Sequence, residues 1–180
     1  MAVQAIDIGS DAPNFELPGV DGETYALSDF DTSALVVVFT CNHCPVAKAY
    51  QDRIKSLQSD YDDATVVAIN PNDAEQYPDD SFEMMKQRAE EEAFNFPYLR
   101  DESQSVAESY GAECTPHAFV FDADRRLVYE GAIDDDKENP DAVDRQYVRE
   151  AIDAIVAGEE PETNSASPMG CSIKWKEASA

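Results

Sequence analysis

Positive charge is what this sequence most lacks: 13 lysines and arginines stand against 38 aspartates and glutamates, a formal net charge of −25 at pH 7. Phosphate-bearing partners would be repelled, which argues against nucleic acid and anionic membrane surfaces. No long apolar run occurs, so no segment reads as a membrane-spanning helix. The opening, MAVQAIDIGSDAPNFE, lacks the basic region and apolar core of a signal peptide, and the expected address is the cytoplasm. Cysteine is scarce. Four residues, Cys41, Cys44, Cys114 and Cys171, are too few and too scattered for a disulfide scaffold and point instead to redox or metal chemistry.

What is present is a globular chain. Its 180 residues suit one domain, and 43% hydrophobic content is enough for a core despite the charge. The acids are spread along the whole chain, and their self-repulsion would be screened by salt, so a halophilic cytoplasm is the expected setting.

The local patterns alternate between strands and helices. FELPGVDGETYALSDFD reads as two short strands about a Gly-Val-Asp-Gly turn, and ALVVVFT as a strand covered on both faces. Pro45 is placed to open a helix in which Val46, Tyr50, Ile54 and Leu57 share a face. ATVVAIN is a second buried strand. DSFEMMKQRAEEEAF is helical, with Asp79 or Asp80 as its expected N-cap. A short helix, SVAESYG, ends at Gly111; HAFVFDADRRLVYEGAI forms a hairpin; and DAVDRQYVREAIDAIVAG is a last helix closed by Gly158. The layout is α/β, a mixed sheet with helical crossovers. Residues 1–158 form the domain, and 159–180 read as a mobile linker followed by a tail holding Cys171 and the single tryptophan.

Cys41 falls where a buried strand ends and a helix begins, the place where open α/β sheets carry their sites. Helix-end N–H groups and the macrodipole stabilise a thiolate there, and a protonated His43 would add to this. In such a Cys-x-x-Cys the first sulfur attacks and the second resolves, which makes Cys41 the nucleophile and Cys44 the resolving thiol. A zinc site and an inert pair are the competing readings. Zinc usually needs a second ligand pair, and Cys114, Cys171, His43 and His117 supply no second CxxC or HxxxH. No metal is therefore expected, and His43 reads as a modulator of sulfur pKa. Thr115-Pro116, directly before an apolar strand, is a place for a rigid peptide.

Together these pieces resemble a known family. Strand, CxxC, helix, strand, Thr-Pro, hairpin and helix are similar to the thioredoxin fold. GSDAPNFELPGVDGETYALSDFD is similar to the N-terminal extension of peroxiredoxins and thiol-specific antioxidant proteins. FTCNHCPVAKAY, AINPND, FPYLRDESQSVAESYGAECTPHAFVFD and GCSIKW jointly resemble the peroxiredoxin-like, AhpC/TSA-related branch of the thioredoxin superfamily, over residues 8–175. The resemblance implies a thioredoxin-like α/β fold with an N-terminal β-hairpin extension and a C-terminal tail. It also implies a cis Pro116 beside the CxxC, Thr115 and Pro116 as the edge where a substrate chain docks, and Cys114 near Cys41.

Where the sequence departs from peroxiredoxins, it departs at the chemistry. Their Pro-x-x-x-Thr-x-x-Cys motif would put the reactive cysteine at Cys44, but Cys41 occupies the threonine's place and Leu35–Val38 offers no proline. CTPHAF stands where their activating arginine would be. This favours dithiol exchange over peroxide reduction. The Asn-His between the sulfurs is similar to the Pro-His of disulfide-oxidising relatives, which implies a Cys41 pKa below the free value and a potential less reducing than thioredoxin's.

The reading is thus a thiol–disulfide oxidoreductase of redox homeostasis or antioxidant defence. Its substrate is a disulfide-containing protein or a small thiol or disulfide, its electrons come from an external thiol reductant, and it needs no cofactor. A homodimer is what the resemblance suggests. The alternatives are a peroxidase working through a Cys41 sulfenic acid, and a non-catalytic or zinc-binding adaptor. The tail, GCSIKWK, is basic on an acidic molecule and is expected to be drawn to the site, where Cys171 pairs with Cys41 or Cys114 or simply packs.

Overall fold

The computed structural model describes residues 5–176. Strand β1 (Glu16–Pro18) and β2 (Thr24–Ala26) pair as the expected antiparallel hairpin. Then follow β3 (Ala34–Phe39), helix α1 (Pro45–Asp60), β4 (Ala64–Asn70), α2 (Phe82–Glu91), β5 (Tyr98–Arg100) and α3 (Ser105–Tyr110). After these come β6 (Cys114–Thr115), β7 (His117–Phe121), β8 (Leu127–Gly131), α4 (Tyr147–Val156), β9 (Ser165–Ala166) and β10 (Cys171–Ser172). Six of these strands form one mixed sheet in the order β5-β4-β3-β7-β8-β9. β3 runs parallel to β4 and antiparallel to β7, which places it at the centre. No helix among the described residues is long and apolar enough to cross a membrane.

The central strand shows why the apolar runs are continuous rather than alternating. Successive side chains of a strand point to opposite faces. Ala34, Val36 and Val38 enter a core with Tyr50, Ile54 and Leu57 of α1 and Val148, Ala151 and Ile152 of α4. Leu35, Val37 and Phe39 enter a second core with Phe119, Tyr110 and the N-terminal extension. Both faces are covered, so both sets must be apolar. The second core is aromatic at its centre: Phe119 meets Phe39 and Tyr110 edge-on at 5.7 and 5.5 Å between ring centroids. Truncating Phe119 to alanine would cost about 3–5 kcal/mol.

Some boundaries differ from those expected. α2 is capped by Ser81, whose hydroxyl accepts from the Met84 N–H, while Asp79 and Asp80 lie in a preceding single turn and Asp80 points inward. α4 begins at Tyr147 rather than near Asp141, because Pro140–Ala142 closes a separate short turn. NFPYLRDE contains a strand, β5, that its three residues were too few to signal. Gly111 ends α3 at φ +71°, as expected.

The linker is also more ordered than its composition suggests. Ser165–Ala166 extends the sheet as β9, parallel to β8. The strands meet so closely that a Cβ on Gly131, itself at φ +132°, would overlap the Ala166 carbonyl. Only glycine fits there.

Candidate functional site

The site lies at the carboxyl end of β3. Residues 40–44 leave the sheet, and Pro45 starts α1 with its missing N–H at the first turn, where none is needed. Cys41 and Cys44 are both buried against Ala47, with Cys171 packed on the same cluster. Thr115, from β6, touches both sulfurs of the motif. Its hydroxyl is 3.4 Å from Cys41 Sγ, and its carbonyl oxygen is 3.6 Å from Cys44 Sγ. The Cys44 N–H points to Cys41 Sγ at 3.4 Å. The Thr115–Pro116 peptide is cis, as the resemblance implied.

The sulfurs are not paired as the spacing suggests. Cys44 is disulfide-bonded to Cys171, 127 residues away, while Cys41 and Cys114 are free thiols. The tail was expected to reach Cys41 or Cys114; it reaches the deeper member of the motif instead. Register explains this. Cys171 lies directly opposite Thr115 in the antiparallel β10–β6 ladder, and Thr115 sits over Cys44. Cys114, the next residue along β6, faces the other way and rests its thiol on the Pro116 carbonyl. It lies outside the sulfur cluster, and burial pushes its pKa up to about 12.

The expected low pKa at Cys41 is overturned as well. Burial raises it first, and the nearby Asp80 charge raises it further. The Thr115 hydroxyl and the N–H groups of Cys44 and His43 pull it down, but less. Helix-end dipoles were a sound signal; what the sequence hid was a fully buried carboxylate beside them.

That carboxylate, Asp80, organises the whole loop. Its Oδ1 accepts from the Asn42 N–H at 2.7 Å and from Asn70 Nδ2 at 3.3 Å. Its Oδ2 accepts from Asn72 Nδ2 at 3.0 Å and from His43 Nδ1. The His43 ring also stacks on Tyr77, centroids 5.1 Å apart. Cys41, His43 and Asp80 each offer a donor atom within 4.8 Å of the others, the one such cluster among the described residues. A metal there would have to displace the protein donors that already occupy both Asp80 oxygens, which fits a structural hub better than a ligand set. Sequence reasoning placed Asp80 only as a helix cap. A carboxylate flanked by Pro-Asn-Asp and CNHC segments carries no spacing signal that would have revealed it.

The tail is seated by its backbone rather than by charge. Beyond the β10–β6 pair, the Ile173 N–H donates to the Glu113 carbonyl at 3.3 Å. The Lys174 N–H donates to Asn72 Oδ1 at 2.9 Å, and its carbonyl accepts from the Asp73 N–H at 2.8 Å and from Gln104 Nε2 at 2.9 Å. The Lys176 N–H donates to Gln104 Oε1 at 2.9 Å. Ile173 is buried in the second core, with Trp175 half-buried beside it. Burying an isoleucine is worth roughly 1.5–3 kcal/mol. Among the described residues neither Lys174 nor Lys176 forms an ion pair with a carboxylate; the Lys174 ammonium lies over the Tyr77 ring at 5.9 Å.

Among solved structures, this chain is similar to an uncharacterized conserved protein from Geobacillus kaustophilus: 44% identity, a TM-score of 0.91, and coverage of 96% of this chain and 94% of that one. A hypothetical protein from Sinorhizobium meliloti is 38% identical at a TM-score of 0.91, over 97% and 98% of the two chains. A putative thiol:disulfide interchange protein DsbE from Chlorobium tepidum, 21% identical with a TM-score of 0.65 over 86% and 98%, shares the fold. No curated protein matches the chain. The AhpC/TSA family model matches residues 8–130, more than half of the sequence, and the chain belongs to that family.

Proposed function

We propose that the protein is a thiol–disulfide oxidoreductase in which Cys41 and Cys44 exchange disulfides with a protein or small-thiol substrate, an external thiol supplying electrons. One observation carries this reading. A free Cys41 thiol stands beside a Cys44 already in a disulfide, with Thr115 in contact with both sulfurs. Such a trio is built for exchange, since a thiolate attacks a disulfide sulfur in its reach and expels its partner. Thr115 and Pro116 form the edge along which a substrate chain pairs, as β10 pairs there now. His43, tied to Asp80, acts on the loop's geometry and on Cys41 through its backbone N–H.

The test is reduction of a protein disulfide such as that of insulin, with dithiothreitol as electron source. Cys41→Ser should abolish the rate above background and leave the substrate's mixed disulfide trapped on Cys44, the sulfur that now holds Cys171, with no Cys41 thiol to resolve it. Full turnover in Cys41→Ser would end this reading. Membership of the AhpC/TSA family favours a second one, peroxide reduction through a Cys41 sulfenic acid. Stopped-flow oxidation of Cys41 by hydrogen peroxide separates the two.

A further inference from the structure

We propose that the C-terminal strand is a tethered substrate of the site it covers. Gly170–Lys176 fills the docking edge as an outside polypeptide would, and Cys171 is the leaving thiol when Cys41 closes a disulfide with Cys44. This rests on the dithiol reading above and adds the class of substrate: an extended chain reading glycine, cysteine, polar, aliphatic.

The slot is built for a strand. On one side the segment pairs with Glu113–Thr115, and on the other it is held by Asn72, Asp73 and Gln104. An extended chain paired along an exposed strand edge is how sheets take up peptides, backbone giving affinity and alternate side chains giving selectivity. The selectivity can be read position by position. At Gly170 an added Cβ would overlap the Thr115 carbonyl and crowd the Pro116 nitrogen, so the residue before the cysteine must be glycine. Cys171 presents its sulfur to Cys44. Ser172 faces solvent, and Ile173 is buried among the residues of the second core, which include Phe39, Ile69 and Tyr110.

The slot is also wired to the motif. Asn72 accepts from the Lys174 N–H with its oxygen and donates to Asp80 with its amide, and Asp80 in turn holds Asn42 and His43. Tyr77 has His43 stacked on it and Lys174 over its ring.

The exchange balances without any added redox agent. Cys41 gives its proton to solvent, and its thiolate attacks Cys44 Sγ. The Cys41–Cys44 bond forms as the Cys44–Cys171 bond breaks, and Cys171 leaves as a thiolate that is then protonated. Cys41 is oxidised and Cys171 reduced. Freed of its covalent tie, the strand can yield to an outside peptide whose thiolate attacks Cys44 Sγ and expels Cys41, forming a mixed disulfide where Cys171 had been.

Two measurements test this. First, full-length Cys171→Ser protein, oxidised to the Cys41–Cys44 form, is mixed with the peptide Gly-Cys-Ser-Ile-Lys-Trp and with versions carrying valine for the glycine or aspartate for the isoleucine. The parent peptide should form its mixed disulfide, on Cys44, at least about tenfold faster than either version. Equal rates overturn the inference while leaving the oxidoreductase reading intact; no reaction with any peptide overturns both. Second, the unmodified protein holding Cys44–Cys171 is taken from pH 6 to pH 9 without reductant. Disulfide mapping should show Cys41–Cys44 appearing, with a red shift in the emission of Trp175, the only tryptophan. Cys41→Ser should show neither change. An unchanged map, or a Cys41–Cys171 pair, overturns the inference.

Discussion

Asp80 reaches back 37 residues to hold the imidazole of His43, and it does so from a wholly buried position. A buried carboxylate survives only where donors replace water. Asn42, Asn70, Asn72 and His43 provide them, so the shape of the CNHC loop depends on a side chain from another part of the chain.

Replacing that carboxylate separates its two roles. Asp80→Asn keeps the shape but turns an amide N–H toward groups that are themselves donors, and should destabilise the protein by about 1–3 kcal/mol. It also removes a negative charge that opposes thiolate formation at Cys41. The alkylation midpoint of Cys41 should therefore fall relative to the unmodified protein. A rise would contradict the assigned electrostatics.

Burial, with Asp80 behind it, makes Cys41 a reluctant thiolate while the tail is docked. Its initial alkylation rate in the Cys44–Cys171 form, read on pH-jumped samples before exchange sets in, should still be climbing at the ordinary cysteine value of 9.0. The folded state holds this proton more tightly than the unfolded chain does. Its contribution to stability is thus complete below that value and fades as pH rises through the folded one. A midpoint below 9.0 would refute this.

The Cys44–Cys171 disulfide closes a loop across a sequence separation of 127 residues. In the chain-entropy picture such a loop restricts the unfolded state by roughly 4–5 kcal/mol. Urea unfolding with and without reductant should differ by about 3–5 kcal/mol. A difference under about 1 kcal/mol would mean that the tie is not stabilising the chain.

Glu130 gives a second pH signature, away from the sulfurs. Burial would push its carboxyl up, but hydrogen bonds from His117 Nε2 at 2.7 Å and the Ser165 hydroxyl at 2.9 Å outweigh this and leave it below the ordinary 4.5. A lowered carboxyl stabilises above its unfolded value and loses that contribution as pH falls through the folded one. Glu130→Gln should flatten the fall in stability between pH 5 and pH 3, read by urea midpoints. An unchanged acid slope would show that the bond to His117 carries no such load.

Much of this was legible because it is local. Ala34–Phe39 announced a doubly covered strand, Pro45 a helix start, and Gly111 a helix end. The CxxC was legible from its spacing, and the nearness of Thr115 to both of its sulfurs followed from the family resemblance. Three things were illegible for the opposite reason. Asp80's burial, the pairing of Cys171 with Cys44, and Cys114's turn away from the sulfurs all follow from which residues of distant segments fall opposite one another. Register across a two-residue ladder leaves no trace in either segment alone.

The short parallel strand at Ser165–Ala166 sets a leash length for everything beyond it. Only residues 167–170 separate that fixed point from Cys171. Five Cα steps of at most about 3.6 Å let the released thiol wander no more than about 18 Å. A group so confined competes at an effective concentration in the millimolar range. Under the proposed exchange, a visiting chain would have to displace a neighbour held at that concentration, so the tail would select against cysteines that fit the slot poorly.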